Sequence, residues 1–167
     1  MIDLNIKETD FELIPAGTLA KAKLVIKPGN SPVDPYLTQS RNGDNHYLNC
    51  EFIIMEGEYA KRKIFHKQIV ESDNERSVYF GKIFVKHLLE SANGIKRRDE
   101  SEEAMKIRNL KQWSDLDGLE VAIKIGINPA GEYKESNKVL EVITADNPKY
   151  AEVMGLSQVI SSDEIPF

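Results

Sequence analysis

Residues 47–69, YLNCEFIIMEGEYAKRKIFHKQI, decide the fold because they contain two strand-like runs joined by a short polar turn. In the first run, 47–55, apolar side chains recur at every second position, which predicts a strand with one buried face. The predicted buried residues are Leu48, Cys50, Phe52 and Ile54. The turn is Glu56-Gly57-Glu58, and the second run, 61–69, predicts the returning strand of a β-hairpin.

The chain on either side of this hairpin predicts one earlier strand, one main helix and two later strands. The strands are expected at 18–26, 119–127 and 138–144, and the helix at 77–92 with Ser77 as its N-cap and Asn93-Gly94 as its end. The residues expected on the buried side of the helix are Val78, Phe80, Phe84 and Leu88, with Ile83 as a further candidate. A long polar stretch, 29–46, predicts a mobile functional loop, and a short helix is expected from Ser101. Three strands, a helix and two strands are the order of an OB-fold, an all-β five-stranded barrel with its helix between strands 3 and 4.

Composition restricts the class of protein. The chain has 167 residues, 22 Lys and Arg against 27 Asp and Glu, and a net charge of −5, which argues against an evenly basic surface but allows a local basic groove. A single cysteine, Cys50, predicts a reducing, cytoplasmic setting. No apolar run approaches the roughly 18 residues that a membrane span needs, and no signal peptide is recognisable, so no membrane partner is expected.

The sequence carries no pattern typical of catalysis or metal binding. None of the histidines His46, His66 and His87 forms a spaced pair with Cys50, and no phosphate-binding glycine loop or nucleophile motif occurs. We therefore expect no enzyme activity, no metal site and no cofactor.

Basic and aromatic residues are concentrated in the hairpin at 59–67, which holds four basic residues and no acidic one. They are Tyr59, Lys61, Arg62, Lys63, Phe65 and Lys67. Single-stranded nucleic acids are bound by basic side chains on phosphates and by aromatic rings under bases, so this hairpin predicts a DNA-binding groove. The alternative is that Phe65 packs in the core and the lysines are a solvated strand edge, because Ile64 and His66 compete for the inward position.

Further candidates for DNA contact lie outside this hairpin, most of them with a structural alternative. They are Lys21 and Lys23 on the first strand, Arg41 and Tyr47 at the polar loop, Trp113, and Tyr133 and Lys134 between the last two strands. The alternatives are plain surface for the first-strand lysines, a mobile loop for Arg41 and Tyr47, and a core or lid position for Trp113.

The chain ends in an acidic and apolar peptide composed of Asp163, Glu164, Ile165, Pro166 and Phe167. Such a peptide suits an apolar pocket for the phenylalanine and a basic partner group for its carboxylate; the alternative is an acidic terminus without a partner. This tip resembles that of bacterial and phage single-stranded-DNA-binding proteins, and the stretch from Ile14-Pro15-Ala16-Gly17 through the hairpin loosely resembles the phage-encoded members. The resemblance implies that the tip recruits replication, recombination and repair enzymes, with Phe167 as the main anchor and Pro166 supporting it.

Together these features predict an OB-fold domain at 1–144 and a tail at 145–167 that carries the tip. The expected function is to bind and protect single-stranded DNA largely without sequence preference, in the cytoplasm of a bacterial host if the chain is phage-encoded. The resemblance leaves a homo-oligomer open. The alternatives are an adaptor that uses the tip without binding DNA and a metal-dependent nuclease. The chain departs from the bacterial family in lacking a long Gly/Gln/Pro-rich linker and in the extra length of 92–117.

Overall fold

The computed structural model describes residues 1–6, 12–131 and 134–156, which form a mostly β structure with one main helix. The strands are β1 (Leu19–Lys27), β2 (Thr38–Gln39), β3 (Asn45–Ile54), β4 (Lys63–Ser72), β5 (Glu120–Asn128) and β6 (Ser136–Ile143). The helices are α1 (Glu75–Asn93), α2 (Glu102–Ile107) and α3 (Tyr150–Val153), with a 3₁₀ turn at Trp113–Leu116. In the part of the chain that the structure describes, no helix is both long and apolar enough to cross a membrane.

All the strands belong to one antiparallel sheet. One edge of β3 pairs with β4, and its other edge pairs with β1 and β2; β1 pairs in turn with β5, and β5 with β6. β4 and β6 are the two strands at the ends of this series of pairings. Some of their Cα atoms lie within 8 Å of each other, but the two strands form no ladder in the described residues. The sheet is therefore open between these two strands.

The core lies on one face of this sheet, as the alternating patterns predict. The buried side chains include Leu24 and Ile26 of β1 and Val121, Ile123 and Ile125 of β5. The predicted hairpin face is confirmed, since Leu48, Cys50, Phe52 and Ile54 are all at most 2% exposed. Because successive side chains of a strand point to opposite faces, burying these residues turns the intervening ones outward.

The main helix packs chiefly on β4, through a stripe that differs in part from the predicted one. Leu88 is buried as expected, but Phe80 is 51% exposed. The reason is Gly81, which packs so closely on the carbonyl of Ile69 that there is no room for a Cβ. This contact fixes the rotation of α1 and turns the residue before Gly81 towards solvent.

The ends of α1 follow simple capping chemistry. The N-cap is Asn74 rather than the predicted Ser77, and its side chain accepts hydrogen bonds from the N–H groups of Arg76 and Ser77. Asn and Ser are comparable N-caps, so the sequence offered two starts one turn apart. The predicted end at Gly94 is confirmed, with φ of 68° in the left-handed region that favours glycine. The predicted short helix from Ser101 is also confirmed as α2, with Ser101 as its N-cap.

Two segments that the sequence assigns to a mobile loop and to the tail contribute side chains to the packed structure. In the stretch predicted as a mobile loop, Leu37 is fully buried and precedes the short strand β2, which the sequence analysis missed. Beyond β6, Tyr150 of α3 is 4% exposed and its hydroxyl donates to the carbonyl of Ser91. This part of the segment assigned to the tail therefore lies against the sheet.

Between α1 and β5, a buried ion pair organises the chain. Glu90 of α1 is fully buried, and its carboxylate accepts from Arg108 Nε at 2.7 Å and pairs with Lys86 Nζ at 3.2 Å. The same guanidinium donates to the backbone carbonyls of Lys96 and Asp99. One arginine thus ties the end of α1 to the segment that follows it.

Candidate nucleic-acid interface

Three adjacent strands, β1, β3 and β4, present a regular outer face opposite the core. The register places Val25, Glu51 and Phe65 in one row across the strands, with a row of three residues on either side. The flanking rows are Lys23, Ile53 and Lys63, and Lys27, Asn49 and Lys67. Directly paired residues of an antiparallel sheet share a face, so these nine side chains form one surface, which we call the lysine face.

Phe65 is the aromatic residue of the lysine face. Its side chain is 63% exposed, whereas the neighbouring Ile64 is 2% exposed and belongs to the core. The alternative that Phe65 packs in the core is therefore wrong. His66 shares the inward side of the strand with Ile64, where its ring stacks on Phe84 at 4.5 Å between centroids. The ring of Phe65 is therefore accessible to a ligand, whereas that of His66 is not available on this face.

Four lysines surround one carboxylate on this face. Lys23, Lys27, Lys63 and Lys67 stand at the corners of the array, and Glu51 lies at its centre. Glu51 Oε1 is 3.5 Å from Lys27 Nζ, and its Oε2 is 3.9 Å from Lys63 Nζ. Positive charge exceeds negative charge on the lysine face, although the chain as a whole carries −5. A local basic surface on an acidic protein is what the sequence predicted.

One end of the lysine face continues into the predicted loop residues. Lys67 Nζ lies 5.4 Å from the centroid of the Tyr47 ring, a cation–π distance, and Tyr47 is half-buried. Arg41 is exposed in the turn between β2 and β3, on the strand connection that leads to Tyr47. The structure therefore brings Tyr47 to the lysine face and leaves Arg41 in the adjoining turn.

The other end of the face meets the turn between β3 and β4. Tyr59 is half-buried against the core, and Lys61 has φ of 73°, the only positive φ at a non-glycine position among the described residues. Arg62 donates to the carbonyl of Glu12 at 2.9 Å. Lys61 through Phe65 line a depression of about 500 Å³ together with Leu13, Ser136 and Asn137.

This depression joins the lysine face to the hairpin between β5 and β6. Asn137 is held in place because its side chain exchanges two hydrogen bonds with the backbone of Ile14, at 3.0 and 2.9 Å. Lys134 is exposed and lies two residues before Ser136, the first residue of β6. Tyr133 lies outside the described residues. The predicted contact residues of this loop are thus adjacent in sequence to one wall of the depression.

Two predicted residues have other surroundings. Lys21 forms an ion pair with Glu120 of β5 at 3.3 Å, and its side chain is 20% exposed. Trp113 is half-buried, packs against the core and lines a depression of about 290 Å³ with α1 residues such as Val85 and Leu89. The structure does not group Trp113 with the lysine face.

The cysteine and two of the histidines have defined surroundings in the structure. Burial raises the pKa of the Cys50 thiol to about 12, so it is neutral at pH 7. Ser31 Oγ and His46 Nδ1 are hydrogen-bonded at 2.8 Å. Burial and the charge of Arg97 lower the pKa of His87 below its usual 6.5. Within residues 1–6, 12–131 and 134–156, no three His, Cys, Asp or Glu residues are grouped so that they could hold a metal ion.

Sequence reasoning missed two charged members of the lysine face. The outward position of Glu51 could have been predicted from the alternation of β3, because a strand that buries Cys50 and Phe52 turns Glu51 to the opposite face. Lys27 was missed because the predicted strand ended at Ile26, one residue too early.

Comparison of the chain with protein-family models gives no match, and comparison with curated proteins gives none. The predicted tip, Asp163 to Phe167, lies outside the described residues. The lysine face and the sequence of the tip are therefore the two features of this chain that bear on its function.

Proposed function

We propose that this chain binds single-stranded DNA on the lysine face, largely without sequence preference. The observation that carries the proposal is the exposure of Phe65, at 63%, between Lys63 and Lys67 of the same strand. An accessible ring flanked by ammonium groups offers a stacking surface for a base and charges for the adjoining phosphates, the two interactions on which strand binding without sequence readout depends. No turnover is required of such a site.

The topology supports reading the sheet as an OB-fold. The five long strands pair in the order expected of that barrel, the main helix lies between the third and fourth of them, and β4 approaches β6 where a barrel would close. OB-folds bind oligonucleotides on their second and third strands and on the loops after strands one and four. Here these are β3, β4, the segment that holds Arg41 and the loop that holds Lys134. The lysine face thus coincides with the surface that this fold uses for DNA.

Selectivity for single strands follows from the way the face would make contact. In a duplex, base faces are stacked on one another and are not accessible to Phe65, so only the phosphate contacts remain. Each base stacked on an aromatic ring contributes about 1–3 kcal/mol. Phosphate contacts weaken as salt rises, because the protein releases counterions from the DNA and their release is less favourable in concentrated salt. We therefore expect single strands to bind more tightly than a duplex of the same length, with an affinity that falls as salt rises.

We further propose that the tip recruits DNA replication, recombination or repair enzymes to the covered strand. The support is its sequence, in which Asp163 and Glu164 precede Ile165, Pro166 and Phe167. Acidic residues steer a peptide towards a basic surface, and a terminal phenylalanine can enter an apolar pocket. The tip also resembles those of phage and bacterial single-stranded-DNA-binding proteins. The chain would accordingly be a phage or prophage protein that acts in the bacterial cytoplasm.

A titration of labelled oligo-dT by fluorescence anisotropy, at low and high salt and beside a duplex control, tests the proposal. We expect tight binding of the single strand at low salt, weaker duplex binding and a negative slope of log affinity against log salt. Absence of single-strand binding at low salt would overturn the proposal and leave an adaptor that acts through the tip alone. Loss of full-length oligonucleotide in the presence of Mg²⁺ would instead indicate a nuclease.

A further inference from the structure

We infer that Glu51 is an internal competitor for phosphate, which sets how tightly and how reversibly the lysine face holds a strand. This inference rests on the proposed function and concerns a residue at the centre of the same surface. Glu51 pairs across the sheet with Val25 on one side and Phe65 on the other. Its position next to the proposed stacking ring means that any phosphate adjoining a stacked base would approach this carboxylate.

The carboxylate divides the four lysines into two pairs. Lys27 and Lys63, on one diagonal of the array, lie 3.5 and 3.9 Å from the two oxygens of Glu51. Lys23 and Lys67, on the other diagonal, form no ion pair with the described residues. Lys67 instead lies over the Tyr47 ring. Two cations of the face are thus already compensated, and two are available to an incoming anion.

The burial of Glu51 makes this arrangement persistent. The residue is 7% exposed, whereas the lysine side chains that pair with it are each 50% exposed. The carboxylate therefore stays at the floor of the face while the ammonium groups can turn towards solvent or a ligand. A phosphate that binds Lys27 or Lys63 must share the cation with Glu51, and it is repelled by the carboxylate itself. Both effects lower the affinity and are weakened by salt.

The consequence for function is a face that releases a strand readily. A protein that covers DNA and recruits enzymes to it must yield the strand to those enzymes. A fixed negative charge beneath the contact surface limits affinity for every sequence equally, because it acts on phosphates and not on base edges.

The test is the isosteric substitution Glu51→Gln, which removes the charge and keeps the shape. We expect oligo-dT binding to become about three- to tenfold tighter at low salt, since two partly exposed ion pairs are released. The gain should shrink at high salt. The matched control is Glu103→Gln on α2, an exposed residue that makes the same change in net charge away from the face and should leave the affinity within twofold.

A triple variant separates competition from a general charge effect. In the Lys27→Gln/Lys63→Gln background, Glu51→Gln should give a smaller gain than in the wild type, because the lysines it would release are absent. Equal gains in the two backgrounds would show that Glu51 acts by repulsion alone and would overturn the competitor role. Unchanged or weaker binding by Glu51→Gln alone would also overturn it.

A second measurement keeps the inference testable if Glu51→Gln does not fold, as checked by circular dichroism. Lys27→Gln removes a lysine that is already paired, and Lys23→Gln removes one that is not. We expect Lys23→Gln to weaken oligo-dT binding at least twofold more than Lys27→Gln, and the opposite order would overturn the inference. Failure of the wild-type protein to bind at low salt would instead overturn the proposed function itself.

Discussion

Phe65 and Glu51 are direct cross-strand partners on β4 and β3, yet the phenylalanine is 63% exposed and the glutamate only 7%. This is the reverse of what hydrophobicity alone predicts for the two residue types. The carboxylate is compensated by two lysines, while the ring has no such cover. The two residues thus place an accessible ring directly beside a compensated carboxylate on the lysine face.

Phe65→Ala should weaken binding of oligo-dT about five- to hundredfold, because it removes a stacking surface worth about 1–3 kcal/mol per base. Phe65→Trp should retain binding, since it keeps an aromatic face. The measurement is an anisotropy titration at fixed salt. The matched control is Tyr79→Ala, which removes a similarly exposed ring, 60%, from α1. Equal losses for Phe65→Ala and Tyr79→Ala would count against stacking at Phe65.

Deletion of Phe167 should leave oligo-dT affinity unchanged and abolish binding to enzymes of DNA replication, recombination or repair. The reason is that the terminal ring and its carboxylate are the proposed anchors, while the lysine face remains intact. Pull-down of purified candidate enzymes by full-length and shortened protein measures the effect. Deletion of Met1, at the other end of the chain, controls for shortening. Retained partner binding without Phe167 would exclude the proposed role of the tip.

Arg108→Ala should lower the free energy of unfolding by about 3–5 kcal/mol, as expected when one partner of a buried ion pair is removed. It leaves the fully buried Glu90 with Lys86 as its remaining ion-pair partner in the described residues, and it frees the carbonyls of Lys96 and Asp99. Urea denaturation followed by circular dichroism gives the value. Arg98→Ala, at an exposed position of the same segment, should change it by less than about 0.5 kcal/mol. Similar effects of the two substitutions would contradict the role of the buried pair.

Acidification should destabilise the protein in part through His87. Burial and the charge of Arg97 lower the pKa of His87 in the folded state, while Glu90 and Glu141 oppose the shift. The unfolded chain therefore binds a proton more readily, so this contribution to stability is fully present above the unfolded pKa of about 6.5 and is lost as pH falls from there through the lower pKa of the folded state. We expect His87→Gln to lose less stability than wild type between pH 7.5 and 5.5 in urea titrations. An equal or larger loss in the variant would contradict this assignment.

Sequence patterns predicted the parts of this protein in which apolar and polar residues alternate. The buried hairpin face and the position of the main helix between β4 and β5 follow from such patterns. Local patterns do not predict which residues of β4 face the core, because Ile64, Phe65 and His66 are all able to pack there. Which of them do so depends on the register of β4 with β3. Similarly, the exposure of Phe80 depends on the close contact of Gly81 with Ile69, which no local pattern encodes.

The sequence predicts individual residues of the candidate site, but it does not predict how they are arranged on one surface. The sequence predicts Lys23, Lys63, Phe65 and Lys67 as DNA contacts, and the strand register is what places them on one surface around Glu51. Pairing between β1 and β3 joins residues far apart in the chain, so the relation of Lys27 to Lys63 could not be read from spacing. For Trp113 the sequence leaves a DNA contact and a core or lid position open, and the core packing that the structure shows depends on α1.

Photo-crosslinking of the full-length protein to an oligonucleotide that carries bromodeoxyuridine, followed by peptide mapping, tests the central claim most directly. The account predicts crosslinks on the lysine face, at Phe65 and at the adjoining Tyr47, and their loss when unlabelled oligo-dT competes. Crosslinks confined to aromatic residues outside the lysine face, at Tyr79 or Phe80 of α1 or at Trp113, would contradict it.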